Sequence, residues 1–242
     1  ALIDRKEGPV MSWQQIKQLQ KDGVIIANHS SYHDHLAAPN KGESKAAWLK
    51  RVKTDILLAQ TQLEQQLGIK HKWLAYPYGE FSVELEQMVK ELGFIGIGQQ
   101  SGAVGLNSLM TRLPRYPSSS QYAALKHFTP KLKTLALPVK NYIAADPVKG
   151  PNPPTLTLQI DNSDFKTSQL NCFSNGEPIK VTWLKPDTFS AQAGQKLKTS
   201  HKVSIHIGNQ AAPVKLKTPL YCNTESSAIP VAARTNQTKR SA

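Results

Sequence analysis

Apolar positions in the first half of the chain recur in alternating helical and strand-like blocks. Trp13, Ile16 and Leu19 form a stripe at helical spacing. Ser12 and Gln15 before and within it have the form of a capping box, Met11 and Ile16 have staple spacing, and Gly23 stands where a helix ends. The continuous run Val24-Ile25-Ile26-Ala27 predicts a short strand buried on both faces. A long helix is expected from about Ser44 to Leu67, with Trp48, Val52, Ile56, Ala59, Leu63 and Leu67 on one face and Gly68 closing it. Residues 72–76 read as the next strand. Ser82 caps a further helix that buries Leu85, Met88, Val89 and Leu92 before Gly93, and strands follow at 94–98 and 112–116.

Strand–helix–strand repetition with short turns implies a parallel sheet or barrel, in which functional groups gather at the C-terminal ends of strands. Beyond Leu137 the pattern changes. Pro138, Pro147, Pro151, Pro153 and Pro154 suggest a stiff connection over 138–154. Strand-like segments follow at 155–160, 179–184, 202–207 and 214–218, with almost no helix. The expected organisation is an α/β domain over 1–137, the linker, a small all-β sandwich over 155–225 and a polar, basic tail over 226–242.

No apolar run is long enough to cross a bilayer. The first residues, Ala1-Leu2-Ile3-Asp4-Arg5-Lys6, have neither an initiator Met nor an apolar signal core, so a processed or truncated chain is expected. The formal net charge of +13 is compatible with an anionic partner such as a wall polymer, a membrane surface or nucleic acid, or simply with solubility. No arginine-rich arm or aromatic-basic RNA motif is present, which argues against nucleic acid. Cys172 and Cys222 fall in segments that could be facing strands. A disulfide between them would fit an export compartment, and two buried thiols are the alternative.

Candidate chemistry sits after two of the predicted strands. Asn28-His29-Ser30-Ser31-Tyr32-His33-Asp34-His35-Leu36 holds three of the seven histidines. His29 and His33 are four apart, a spacing that lets two imidazoles meet one metal where the backbone turns, although surface histidine clusters also take this form. Tyr76-Pro77-Tyr78-Gly79 ends the following strand. Its proline and glycine suit a backbone N–H aimed into a cleft, or an ordinary turn.

Together the two motifs resemble the NodB-type polysaccharide deacetylases, carbohydrate esterase family 4. His29-Ser30-Ser31-Tyr32-His33 is similar to that family's histidine motif, flanked by a typical Asn28 and Leu36, and Tyr76-Pro77-Tyr78-Gly79 to its second motif. Met11-Ser12-Trp13-Gln14-Gln15, the Gly23 turn and the long helix resemble the branch acting on poly-N-acetylglucosamine. The likeness covers about residues 1–135 and implies an incomplete (β/α) barrel. It implies metal-assisted amide hydrolysis, with His29 and His33 holding a divalent ion, usually Zn²⁺, and an aspartate as third ligand. The Tyr78 backbone N–H would stabilise the oxyanion, and Tyr76, Pro77, Gly79 and Arg115 would meet substrate. The substrate would be poly-N-acetylglucosamine, a chitin-like polymer or peptidoglycan, outside the cytoplasm. A glycan-binding relic of such an enzyme is the competing expectation.

Three positions depart from the family pattern. Its Thr-Phe-Asp-Asp motif, source of the base and the third ligand, is absent, and the chain therefore reads as lacking the first strand, first helix and second strand of the barrel. Ala75 stands where many members have arginine. Thr111-Arg112-Leu113-Pro114-Arg115-Tyr116-Pro117 lies where the acid-bearing Leu-x-His motif is expected, and Asp34, His35 and His127 read as exposed or structural.

Overall fold

The structure, a computed structural model, describes residues 3, 10–118, 123–144, 146–151, 153–161, 170–174, 177–194 and 222–224. Helix α1 (Trp13–Lys21) starts with the expected capping box: the Ser12 hydroxyl accepts from Gln15 N–H, and the Gln15 side chain accepts from Ser12 N–H. Helix α2 (Lys45–Leu67) runs from a Ser44 cap to Gly68, whose φ of 68° ends the helix in the left-handed conformation that glycine tolerates. Its buried face carries Trp48, Val52, Ile56, Ala59 and Leu63, as the spacing predicts, and also Asp55 and Gln60.

The parallel sheet is smaller than the sequence suggests. Strands β1 (Trp73–Ala75) and β2 (Ile95–Ile97) pair in parallel, with Leu74 opposite Gly96. Single parallel bridges flank them, Asn28 to Leu74 on one side and Leu113 to Ile97 on the other. The strands expected at 24–27 and 112–116 thus reduce to one bridge each, and no closed barrel forms among the described residues. Val24 and Ile25 are 45% and 64% exposed, against the expectation of burial on both faces. The segment borders a cleft that Ile26 and Ala27 line together with residues of both α1 and α2.

A short 3₁₀ turn, Pro77–Gly79, follows β1 and leads into helix α3 (Val83–Glu91), capped by Ser82. One apolar core joins these pieces: Trp48, Val52 and Ile56 of α2, Leu74 and Tyr76 of the β1 segment, and Leu85, Met88 and Val89 of α3. The Trp48 indole donates to the Leu36 carbonyl at 3.0 Å, which anchors the chain just beyond the histidines. A four-residue helix α4 (Leu125–Phe128) follows.

Two antiparallel sheets make up the rest. Strands β3 (Val139–Ala144), β4 (Thr155–Ile160), β7 (Val181–Lys185) and β8 (Thr188–Gln192) form a sheet of order β3-β4-β8-β7. Strands β5 (Leu170–Ser174), β6 (Glu177–Ile179) and β9 (Cys222–Thr224) form a sheet of order β6-β5-β9. Strand β4 matches the alternation read from sequence, burying Leu156, Leu158 and Ile160. The stretch expected at 179–184 splits between β6 and β7, and β3 lies in the stretch read as linker. Leu170 and Cys172 of one sheet share an apolar cluster with Phe189 and Ala191 of the other. Cys172 stands opposite Cys222 in the β5–β9 ladder, as facing strands require. The strands expected at 202–207 and 214–218, and the tail over 226–242, lie outside the described residues.

The two parts meet at α3. Asp146 Oδ2 accepts from Val83 N–H at 2.8 Å, in the first turn of α3, where its charge also favours the helix dipole. Lys149 and Lys45 both pair with Glu84. Arg112 stacks between the Phe81 and Tyr142 rings, at 5.3 and 4.9 Å, and its Nε donates to Glu86 at 2.7 Å. Burial pushes the Glu86 carboxyl above its usual range, and Arg112 and the Thr111 hydroxyl draw it back. Ionised Glu86 is therefore tolerated mainly because of Arg112.

Arg112→Met keeps the side-chain volume but leaves that carboxylate uncompensated. It should cost about 2–3 kcal/mol at neutral pH. Because the folded pKa of Glu86 is raised, stability is greatest below the ordinary carboxylate pKa and falls as pH rises through the raised value. The cost of the substitution should accordingly shrink as the pH is lowered, as read by urea denaturation across that range. A pH-independent loss would assign the effect to lost packing on Phe81 and Tyr142.

Candidate metal centre

The histidine loop is built from short polar contacts. Asn28 is buried, and its Oδ1 accepts from Ser30 N–H at 2.9 Å. The Ser30 hydroxyl in turn accepts from His33 N–H at 3.0 Å. These two turns bend the backbone tightly enough that Ser30 and His33 take φ of 58° and 59°. The bend brings His29 and His33 together. Their Nε2 atoms lie 3.1 Å apart, and the rings meet edge to face at 4.8 Å.

His29 Nδ1 lies 2.6 Å from the Ala75 carbonyl at the end of β1. A carbonyl can only accept, so Nδ1 carries the proton and Nε2 presents a lone pair. Burial lowers the His29 pKa. The Ala75 carbonyl opposes this, and His33 and Arg115 add to it. The imidazole is thus held in the neutral form that ligates metal. Two nitrogens bound to one tetrahedral ion, each roughly 2.0–2.1 Å away, would lie about 3.3 Å apart. The observed pair is close to that arrangement, and its contact to a backbone carbonyl is the usual support of a metal-bound histidine. No third His, Cys, Asp or Glu joins the pair among the described residues.

Sequence reasoning missed Asp55. It sits on the buried face of α2, and its Oδ1 accepts from Ser31 N–H at 2.7 Å and Tyr32 N–H at 3.1 Å. Its Oδ2 is buried without a hydrogen bond. A carboxylate on an otherwise apolar stripe was the available signal, since such a group must satisfy something buried. Asp34, by contrast, is exposed.

The second motif lies beside the pair. Tyr78 has φ 58°, and its N–H makes no hydrogen bond among the described residues. Its ring stacks on His35 at 4.2 Å and meets His33 edge-on at 4.7 Å. His35, expected to be merely solvated, has Nδ1 2.7 Å from the buried Glu80 carboxylate. Gly79 is required by close packing: a Cβ there would lie 2.6 Å from the Gln99 Cβ. Pro77 is buried. Tyr76 is fully buried and donates its hydroxyl to the Thr111 carbonyl at 2.7 Å, so its side chain belongs to the core rather than to a ligand surface. Burial also pushes its phenol pKa up.

Arg115 is brought to the same place. Its main-chain N–H donates to Gln100, and with the Gln99 amide oriented to satisfy its neighbours, Gln99 bridges the Arg115 guanidinium (3.0 Å) and the Tyr78 carbonyl (3.3 Å). Burial lowers the Arg115 pKa, and its Nε is buried without a partner. No carboxylate pairs with it among the described residues. His127 is exposed on α4, and His71 Nε2 donates to the Ile26 carbonyl, 2.8 Å away, as a structural residue. His201, His206 and Tyr221 lie outside the described residues.

A cleft of about 460 Å³ opens at His29 and His33. Its walls are otherwise mostly apolar: Val10, Met11, Trp13 and Ile16 on one side, Ala59 and Leu63 of α2 on the other. Asp55→Ala removes the acceptor for two loop N–H groups and should cost about 2–3 kcal/mol, with Asp55→Asn costing about half as much. Zinc affinity of the alanine variant should fall at least tenfold, by roughly the factor expected for lost support of a ligand loop. Urea denaturation and calorimetric zinc titration read both. An alanine variant as stable as the parent would show that the loop is held by other contacts.

No curated protein matches the chain. Among solved structures, the BpsB deacetylase domain of Bordetella bronchiseptica is 23% identical, with a TM-score of 0.40 over 48% of this chain and 53% of that one. The de-N-acetylase of Aggregatibacter actinomycetemcomitans is 19% identical, with a TM-score of 0.41 over 49% and 53%. IcaB of Ammonifex degensii is 17% identical, with a TM-score of 0.41 over 55% and 58%. The chain spans about half the length of these structures. The family model for polysaccharide deacetylases matches residues 2–97, which include both motifs.

Proposed function

We propose that the chain takes part in divalent-metal-dependent hydrolysis of N-acetyl groups on an N-acetylglucosamine-containing polysaccharide. The observation that carries this reading is the His29–His33 pair, with facing Nε2 atoms 3.1 Å apart and His29 locked through Nδ1 onto the Ala75 carbonyl. His29 and His33 would hold the ion, Zn²⁺ being the natural choice for two imidazoles. Bound there, it would lower the pKa of its water and polarise the acetamide carbonyl.

The chain's own groups would do the rest of the positioning. The Tyr78 N–H would donate to the developing oxyanion. Arg115, a half-buried cation with donors to spare, would bind a substrate oxygen, and Gln99 would hold it in register with Tyr78. Pro77 and Gly79 would shape the turn, Tyr76 acting only through its backbone. Poly-N-acetylglucosamine, a chitin-like polymer or peptidoglycan would each offer the acetamide, and with such a substrate the chain would act outside the cytoplasm. The C-terminal sheets would form the small sandwich expected from sequence and bind or space the polymer, with a Cys172–Cys222 disulfide fitting that compartment.

The test is acetate release from N-acetylglucosamine oligomers, with Zn²⁺ supplied and then chelated. Zinc-dependent release is expected. His29→Ala and His33→Ala should each abolish tight zinc binding and release together. Zinc binding that is unchanged in both variants would sink the site. Oligomer binding by the parent chain without any release would favour a glycan-binding relative that has lost catalysis.

A further inference from the structure

From residue 92 to residue 145 the chain contains no Asp or Glu, and it carries Arg112, Arg115, Lys126, Lys131, Lys133 and Lys140. The same stretch exposes large apolar side chains. Leu106 is fully exposed, and Leu125, Leu132 and Leu135 are 70–78% exposed. Single exposed leucines are ordinary, but four within one acid-free stretch, on segments that pack against one another, are not. A Cβ placed on Gly105 would lie 2.6 Å from that of Ala136, so the 104–110 loop rests against the 132–137 segment. Tyr116 and Thr134 hydroxyls bond at 2.5 Å, and Lys131 sits over the Tyr116 ring, which ties the 131–134 turn, itself packed against α4, to Tyr116.

We infer that this face docks on an anionic lipid bilayer. Leucines at 106, 125, 132 and 135 have the area and exposure to enter the headgroup–acyl boundary. Lys126 and Lys133, next to them in sequence, have no acidic partner among the described residues and match the negative surface potential of such a membrane. A soluble anionic polymer would be served by the lysines alone and would leave the leucines in water. The acid-free stretch removes the repulsion that a carboxylate would bring to the contact. No described helix is long and apolar enough to cross a membrane, so the contact is peripheral.

Vesicle flotation of the full chain tests this independently of any hydrolytic activity. The probes are vesicles of phosphatidylcholine alone and of phosphatidylcholine mixed with phosphatidylglycerol. Binding to the mixed vesicles and little to the neutral ones is expected. Leu106→Ser/Leu125→Ser/Leu132→Ser leaves the charge untouched and should weaken binding about tenfold or more. Lys126→Gln/Lys133→Gln should weaken it several-fold and flatten its salt dependence. Failure of the parent to float with the mixed vesicles overturns the proposal. So does a serine variant that binds as the parent does, which would leave only bulk charge. A concentration-dependent dimer abolished by the serine substitutions, without vesicle binding, would assign the face to a second copy instead.

Discussion

A buried primary amide must satisfy donors and an acceptor at once, and Asn28 does so by tying three parts of the molecule together. Its Nδ2 donates to the Ile56 carbonyl of α2 at 2.9 Å, and its Oδ1 takes the Ser30 N–H. Its main chain bridges β1, receiving from Ala75 N–H and donating to the Trp73 carbonyl. An aspartate of the same shape would aim a carboxylate at the Ile56 carbonyl, so the geometry needs the amide. The carbonyl of Ala75, which orients His29, is set by the same bridge. The position of the first histidine therefore follows from the pairing of Asn28 with β1, and that of the second from the Ser30 turn that Asn28 holds.

That turn is costly in itself. Ser30, His33 and Tyr78 are the non-glycine residues with left-handed backbone among the described residues, and all three lie in or beside the histidine loop. Each such residue costs on the order of 1 kcal/mol or more. The compensation is local. Asp55 binds two successive N–H groups of the loop, the Ser30 hydroxyl binds a third, and Trp48 pins Leu36 beyond it. Tyr78 is clamped between His33 and His35, and Glu80 steadies His35. Strain held in this way by buried hydrogen bonds keeps the two imidazoles from relaxing apart.

Much of this could be read from the residues. Caps at Ser12, Ser44 and Ser82 and the glycines at 23, 68 and 93 mark helix ends by local chemistry, so those helices were legible. The histidine pair was legible because its spacing is local too. The extent of the sheet was not, since strand length depends on neighbours that a single segment does not encode. Val24 to Ala27 has the composition of a doubly covered strand, yet Val24 and Ile25 are largely exposed. Asp55 and Gln60 were hidden because apolar periodicity reports which face of α2 is buried, not what a polar residue on that face must bind. The pairing of Glu80 with His35 joins positions 45 residues apart, a contact that only the fold supplies.

The electrostatics of the cleft bear on how a cation could be accepted beside a half-buried arginine. With its proton on Nδ1, His29 offers a lone pair at Nε2, and the facing nitrogen of His33 is close enough to donate a hydrogen to it. That hydrogen bond holds the rings in nearly the relative position that shared coordination demands. Exchanging the hydrogen for a divalent ion then needs no ring rotation and little loss of side-chain freedom, because the loop is already ordered. Arg115 works against a cation at long range but also disfavours the imidazolium of His29, as burial does. Protonation is therefore suppressed by the same surroundings that would oppose the ion. A proton would gain only one charge-assisted contact there, whereas a divalent ion would gain two nitrogen ligands, so in the proposed role the pair would favour metal over a proton.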